Sequence, residues 1–265
     1  MKIQLLSDLH NEFLRNDRQN SNHKWTGAIP ETDADVILLA GDIDVGTYGT
    51  DWAIKESKRL GKNIIYVLGN HEFYRHEYNS LKQKIKKLTE GTAVHYLNCE
   101  TYIQGNVRFI GTTLWTDYKA DSSVPQDLAM FFVEKGLADH KMIKYKAGNK
   151  YRRFQPLDAL AIHKKELSWL EKQVNTPYEG KTVVVTHHGP HPVCQHPAYP
   201  VSEISTAFHS DLSELIGNNN IDMWAFGHTH ANVDKIIDGT RIISNQAGYP
   251  GENVTDFNAS TIIEV

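Results

Sequence analysis

Cysteine is scarce. The 265 residues hold two, Cys99 and Cys194, far apart and without Cys-x-x-Cys spacing. That excludes a disulfide framework and predicts two free thiols in a reducing compartment. Long apolar runs are missing as well, so no segment spans a bilayer. The strand-like Lys2–Leu6 leaves no room for a signal peptide, and the expectation is a cytoplasmic protein. Neither sign of charge dominates: 28 basic against 32 acidic residues give a net −4. Bulk attraction to nucleic acid or to an anionic membrane is therefore not expected. Linkers, low-complexity tracts and repeats are absent. The chain reads as one domain over residues 1–265, with 40% hydrophobic and 23% charged residues, the composition of a globular protein.

Histidine, by contrast, is abundant, with fourteen residues. Several stand directly after apolar runs of strand length. Lys2–Leu6 leads to Asp8-Leu9-His10. Val36–Ala40 leads to Gly41-Asp42, and 63–68 leads to Gly69-Asn70-His71-Glu72. Lys181–Thr186 leads to His187-His188-Gly189, and Ile221–Phe226 leads to Gly227-His228-Thr229-His230. The Val36–Ala40 run lacks alternation, which predicts a strand buried on both faces of a layered α/β sheet.

Between these stretches, helices are expected from about Trp52 to Leu60, over Tyr78–Leu88, from Pro156 to Val174 and from about Ser210 to Ile216. Short strands are expected at 94–97, 101–104 and 107–110, and a hairpin at 233–244 turns on Asp238-Gly239. Ser260–Val265 reads as a strand returning to the sheet. Residues 11–34 read as a polar connector. The stretch of about 115–155 reads as a partly helical, strand-free excursion, lid-like over one side of the site. Two basic sets have competing readings. The lysines of 78–88 form a phosphate-polymer patch or a solvated helix face, and the second fits better. Lys144, Lys146, Lys150, Arg152 and Arg153 meet an anionic substrate or are plain surface. His163 reads as structural or exposed.

Carboxylate and imidazole together suit zinc, manganese or iron. Residues two apart on a strand face the same way, so Asp8/His10 and His228/His230 each point a pair of side chains at one pocket. Asp42 has two oxygens and can neutralise two cations. Asn70 can offer a neutral carbonyl oxygen. The glycines at 41, 69, 189 and 227 let backbone approach closely. Each motif alone is commonplace, Asp-x-His as a surface pair and Gly-Asp as a turn. All of them after buried strands, in this order, are not.

The ordered set Asp8/His10, Gly41-Asp42, Gly69-Asn70-His71-Glu72, His187 and Gly227-His228-Thr229-His230 resembles the calcineurin-like metallophosphoesterase superfamily. The resemblance runs from residue 8 to about 230. It implies a four-layered αββα sandwich of two mixed β-sheets flanked by helices. It also implies two divalent ions (manganese, iron or zinc). Asp8, His10, Asp42 and His230 would hold the first, and Asp42, Asn70, His187 and His228 the second. His71 would be the catalytic histidine, His187 the ligand and His188 its undecided neighbour. The implied activity is hydrolysis of phosphodiesters or phosphomonoesters by hydroxide bridging the ions. The protein-phosphatase continuation Gly-Asp-x-x-Asp-Arg-Gly is missing, since the chain reads Gly41-Asp-Ile-Asp-Val-Gly46. This favours a small phosphoesterase of bacterial type acting on a small substrate. A nuclease on DNA or RNA is the alternative. A metal-free interaction scaffold would require lost ligands, and here all are present.

Overall fold

The structure is a computed structural model describing residues 1–16, 24–120, 123–217, 220–252 and 254–265. Two mixed sheets lie at its centre. The first contains β1 (Lys2–Leu6), β2 (Val36–Ala40), β3 (Ile64–Val67) and β4 (Val94–Tyr96), all parallel to their neighbours. The second contains β5 (Glu100–Gln104) and β6 (Val107–Gly111), then, beyond a separate two-stranded hairpin of β7 (Lys144–Ala147) and β8 (Lys150–Arg153), β9 (Lys181–Val185), β10 (Met223–Ala225), β11 (Asp234–Ile237) and β12 (Thr240–Ile243). Its order is β11-β12-β10-β9-β6-β5. The last strand, β13 (Ile262–Glu264), returns to the first sheet antiparallel to β1.

Pleating explains why β2 shows no alternation. Val36, Leu38 and Ala40 face the second sheet and pack with Phe109, Val183, Val185 and Met223. Ile37 and Leu39 face the other way, into a cluster with Tyr66, Phe73, Tyr78, Trp115 and Phe154. With both faces covered, every position is apolar. The second sheet is covered in turn: Val184, Trp224 and Ile242 pack with Leu170, Val174 and Leu215. The result is helices, sheet, sheet, helices.

The helices are α1 (Asn11–Asn16), α2 (Tyr48–Leu60), α3 (Tyr78–Thr89), α4 (Gln126–Gly136), α5 (Asp139–Met142), α6 (Pro156–Val174) and α7 (Ser213–Ile216). Their ends follow local chemistry. Gly61 closes α2 in the left-handed conformation, its N–H donating to Ser57, as αL caps do. Pro156 opens α6, where Asp158 accepts from the Gln155 N–H at 2.8 Å. Buried His163 sets its Nδ1 2.5 Å from the Trp115 carbonyl and is structural.

Three expectations need correction. The 11–34 connector begins with α1, whose first residue follows His10 directly, so no polar spacer announces it; residues 17–23 lie outside the described residues. The 115–155 excursion is not strand-free. Its β7–β8 hairpin carries Lys, Tyr and Arg on both faces and so lacks the apolar alternation that marks a half-buried strand; residues 121–122 lie outside the described residues. The helix expected from Ser210 begins at Ser213. On α3, Leu81 and Ile85 are buried while Lys84, Lys86 and Lys87 face solvent, and Lys86 pairs with Glu100 at 2.6 Å.

Candidate metal centre

The strand ends of both sheets meet at one place. The side chains expected there gather in three trios, with the potential ligand atoms of each within 4.8 Å of one another: Asp8, His10 and His230; His10, Asp42 and His71; Asp42, His187 and His228. Asp42 belongs to two of the trios and approaches His10, which belongs to the remaining one. Its Oδ1 lies 3.4 Å from His187 Nε2, and its Oδ2 lies 3.9 Å from His10 Nε2. One carboxylate oxygen thus faces each side. Asn70 donates its amide to Asp139 (2.8 Å) and Tyr74 (3.2 Å), which leaves its Oδ1 turned to His187 Nε2 at 3.0 Å. Across the site, His230 Nε2 lies 3.4 Å from Asp8 Oδ1 and 3.2 Å from His10 Nε2.

The backbone that delivers these side chains is not strand. β1 ends at Leu6 and β10 at Ala225. Asp8, His10, Asp42, His228 and His230 have φ of 52°, 48°, 54°, 74° and 52°. The i, i+2 argument from pleating is therefore overturned. Left-handed turns aim the residues, and they send His228 and His230 into different trios. Such backbone costs about 1–3 kcal/mol per residue and concentrates at functional sites. Close approach explains two glycines. A Cβ on Gly69 would stand 2.1 Å from Asp42 Oδ1, and one on Gly227 would stand 2.6 Å from Asp8 Oδ2.

Electrostatics tie the groups together. Burial works to lower His187, but the Asp42 carboxylate prevails and holds it at about 9. Burial likewise opposes His230, and bonds to Asp8 and Glu252 hold it at about 10. Burial would raise Asp42, yet His187 and His71 keep it well below the carboxylate range. His10 and His228 are lowered, first by burial and then by neighbouring imidazoles. The donors fit divalent ions. Among the described residues, His228 Nε2 is one of the polar atoms buried without a hydrogen-bond partner. Such a group costs about 1–3 kcal/mol, which a cation would offset.

His71 is engaged at both ring nitrogens, Nδ1 with Glu12 Oε1 at 2.9 Å and Nε2 with the Tyr249 hydroxyl at 2.8 Å. Its ring lies tilted at 34° against that of Tyr74, with centroids 4.2 Å apart. His188 packs on His228 at 4.4 Å and on Trp115 at 5.0 Å, with Nδ1 3.3 Å from the Thr113 carbonyl.

Several participants escaped the sequence reading. Glu12 also reaches His10 Nδ1 at 3.1 Å. Burial opposes its charge, but the two imidazoles hold it at about 2. Glu72 accepts from the N–H groups of Asp42, Ile43 and Gly69 and from the Tyr66 hydroxyl, bracing the turns after β2 and β3. Gln246 accepts from the His230 N–H at 2.7 Å. Asp139, on α5, shows that the 115–155 segment supports Asn70 and Tyr74 directly. Only Glu72 had a signal in sequence, its place in a motif. Cys194 is buried and its thiol pushed up by burial, which makes it an inert thiol. In the basic hairpin, Arg152 is committed to Asp158 at 2.5 and 2.7 Å.

A family model described as calcineurin-like phosphoesterase matches residues 1–232. Uncharacterized protein L509 of Acanthamoeba polyphaga mimivirus is 27% identical over 282 aligned positions, covering 99% of this chain and 96% of that protein. Among solved structures, the phosphopantetheinyl hydrolase PptH from Mycobacterium tuberculosis superposes with a TM-score of 0.73 at 17% identity, covering 100% of this chain and 95% of its own. A dimetal phosphatase from Danio rerio gives a TM-score of 0.52 at 14% identity, covering 92% and 86%. At these identities the two structures speak for the fold. Among the described residues no helix is long and apolar enough to cross a membrane.

Proposed function

The chain belongs to the calcineurin-like phosphoesterase family, and from that premise we propose that it is a dinuclear metal-dependent phosphoesterase acting on small phosphodiesters or phosphomonoesters. The observation that carries this reading is the pair of outer trios joined through the two oxygens of Asp42. Asp8, His10, Asp42 and His230 would hold one ion, and Asp42, Asn70, His187 and His228 the other. The chemistry such ions supply when bound is a nucleophile drawn from water at neutral pH and neutralisation of the phosphoryl charge.

The chain's own residues do the rest. Glu12 can only accept at His71 Nδ1, so that nitrogen carries a hydrogen, and Nε2, which meets the Tyr249 hydroxyl, is the one left to exchange that partner for a substrate oxygen. Burial opposes a charge on His71, but Asp42 and Glu12 raise its pKa, which favours a proton at Nε2 for the departing oxygen. No serine or cysteine nucleophile is required.

The test is turnover of bis-aryl and mono-aryl phosphates with manganese, before and after chelation. Chelator-sensitive hydrolysis supports the reading, and diester or monoester preference assigns the substrate class. Cleavage of an oligonucleotide against a mononucleotide separates the nuclease alternative, and a phosphopantetheinyl diester extends the panel. Metal-loaded protein that hydrolyses none of these refutes it.

A further inference from the structure

Tyr249 belongs to none of the motifs, yet it stands at the centre of the site's mouth. Its ring lies 4.4 Å from that of His10 and 4.6 Å from that of His230, and its hydroxyl lies 2.8 Å from His71 Nε2. The turn that carries it is fastened at both ends. Gly248 N–H donates to the Asp8 carbonyl at 3.1 Å. Glu252 accepts from the Tyr249 N–H at 2.8 Å and bonds His230 Nδ1 at 2.5 Å. Tyr249 is thus held in register with the histidines rather than left as a loose surface residue.

Opposite it stands Phe13, on α1. It is 40% exposed, although its ring approaches His10 at 6.0 Å. The Phe13 and Tyr249 rings lie 5.5 Å apart at 75°. Two rings near a right angle make a corner that offers a third ring one face and one edge, the arrangement aromatic groups prefer. Arg15, on the same helix, is turned away, bonded to Asp44 at 2.8 Å and laid over Tyr48 at 3.9 Å. An uncharged planar group finds two aromatic partners at the corner.

We propose, resting on the phosphoesterase reading above, that Phe13 and Tyr249 form the leaving-group subsite of this centre. The substrate class it takes is phosphoesters of planar aromatic alcohols. Tyr249 is in addition a positioning residue: its hydroxyl takes the single hydrogen-bonding direction of His71 Nε2 at 2.8 Å and keeps the ring in place until the departing oxygen replaces it there. Phe13 supplies affinity alone.

Binding and turnover test the two roles separately. Phenylphosphonate and methylphosphonate are titrated calorimetrically into metal-loaded protein whose metal content is measured in parallel. The wild type is expected to prefer the phenyl probe by about three- to tenfold, and Phe13→Ala to abolish that preference without changing methyl affinity or metal content. Equal wild-type affinity for both probes, or a preference that survives Phe13→Ala, overturns the subsite. Tyr249→Phe keeps the ring, so KM for an aryl ester should hold. Its kcat should fall more for an alkyl leaving group, which needs protonation, than for p-nitrophenolate, which does not. Equal losses on both, or a KM effect alone, overturn the positioning role. Wild-type protein that takes up no metal and binds neither phosphonate overturns the metal-centre reading and this proposal together. Metal-bound protein without aryl preference overturns the subsite alone.

Discussion

Replacing Glu12 with glutamine removes a carboxylate that bonds two imidazoles of the centre, His10 at 3.1 Å and His71 at 2.9 Å. Those contacts hold the Glu12 carboxyl at about 2 instead of its ordinary 4.5. At about 1.4 kcal/mol per pH unit this corresponds to roughly 3 kcal/mol in the metal-free protein. A depressed carboxylate contributes stability that is fully present above the ordinary value and lost as pH falls through the folded value. Metal-free Glu12→Gln should therefore melt about 6–12 °C below wild type at pH ~7, given about 2–4 °C per kcal/mol for a chain near this size. The gap should close as pH falls through about 4 toward about 2. The variant should still bind metal, because Glu12 is not an assigned ligand, but its kcat for esters with poor leaving groups should drop. Melting curves across pH and kinetics on two leaving groups check both halves. A variant that melts with wild type at neutral pH and keeps its kcat would refute the role given to Glu12.

Other perturbations follow from the same geometry. Asp42→Asn weakens the carboxylate whose two oxygens face the two outer trios and should lose metal and activity together, read by metal analysis and turnover; full activity would rule out the shared-carboxylate assignment. His71→Ala should keep its metal and lose about 10²–10⁴-fold in kcat, least for a good leaving group. Gly69→Ala sets a methyl 2.1 Å from Asp42 Oδ1 and should lower both the melting temperature and metal affinity, whereas an unperturbed variant would show that the turn relaxes freely. His187 and His230, at about 9 and about 10 without metal, contribute stability present below about 6.5 and lost as pH rises through those values. Metal displaces the same protons, so affinity measured between pH ~6 and ~9 should tighten with pH, and pH-independent binding would contradict the linkage.

Much of the fold could be read because buried strands write themselves as unbroken apolar runs. Val36–Ala40 and residues 183–185 are visible for that reason; the hairpin at Asp238-Gly239 shows in its turn residues, and helix α6 in its opening proline and leucine stripe. The site residues were visible because each stands within a few positions of such a run. Glu12, Asp139 and Tyr249 were not. Their importance comes from contacts across 59, 69 and 178 positions, and nothing around them in sequence repeats a pattern. The i, i+2 spacing identified Asp8/His10 and His228/His230 for a reason that does not operate, since left-handed turns rather than pleating aim them. The β7–β8 hairpin stayed hidden because its residues are charged and aromatic on both faces.

Metal stoichiometry is the most direct measurement. Protein purified without chelator and loaded with manganese, iron or zinc should carry about two ions per chain by elemental analysis, as a site bracketed by two sets of ligands around one carboxylate requires. His228→Ala should lower the count while His71→Ala does not. A chain that takes up no ion under any loading, or that keeps its full count without His228, would contradict the account at its centre.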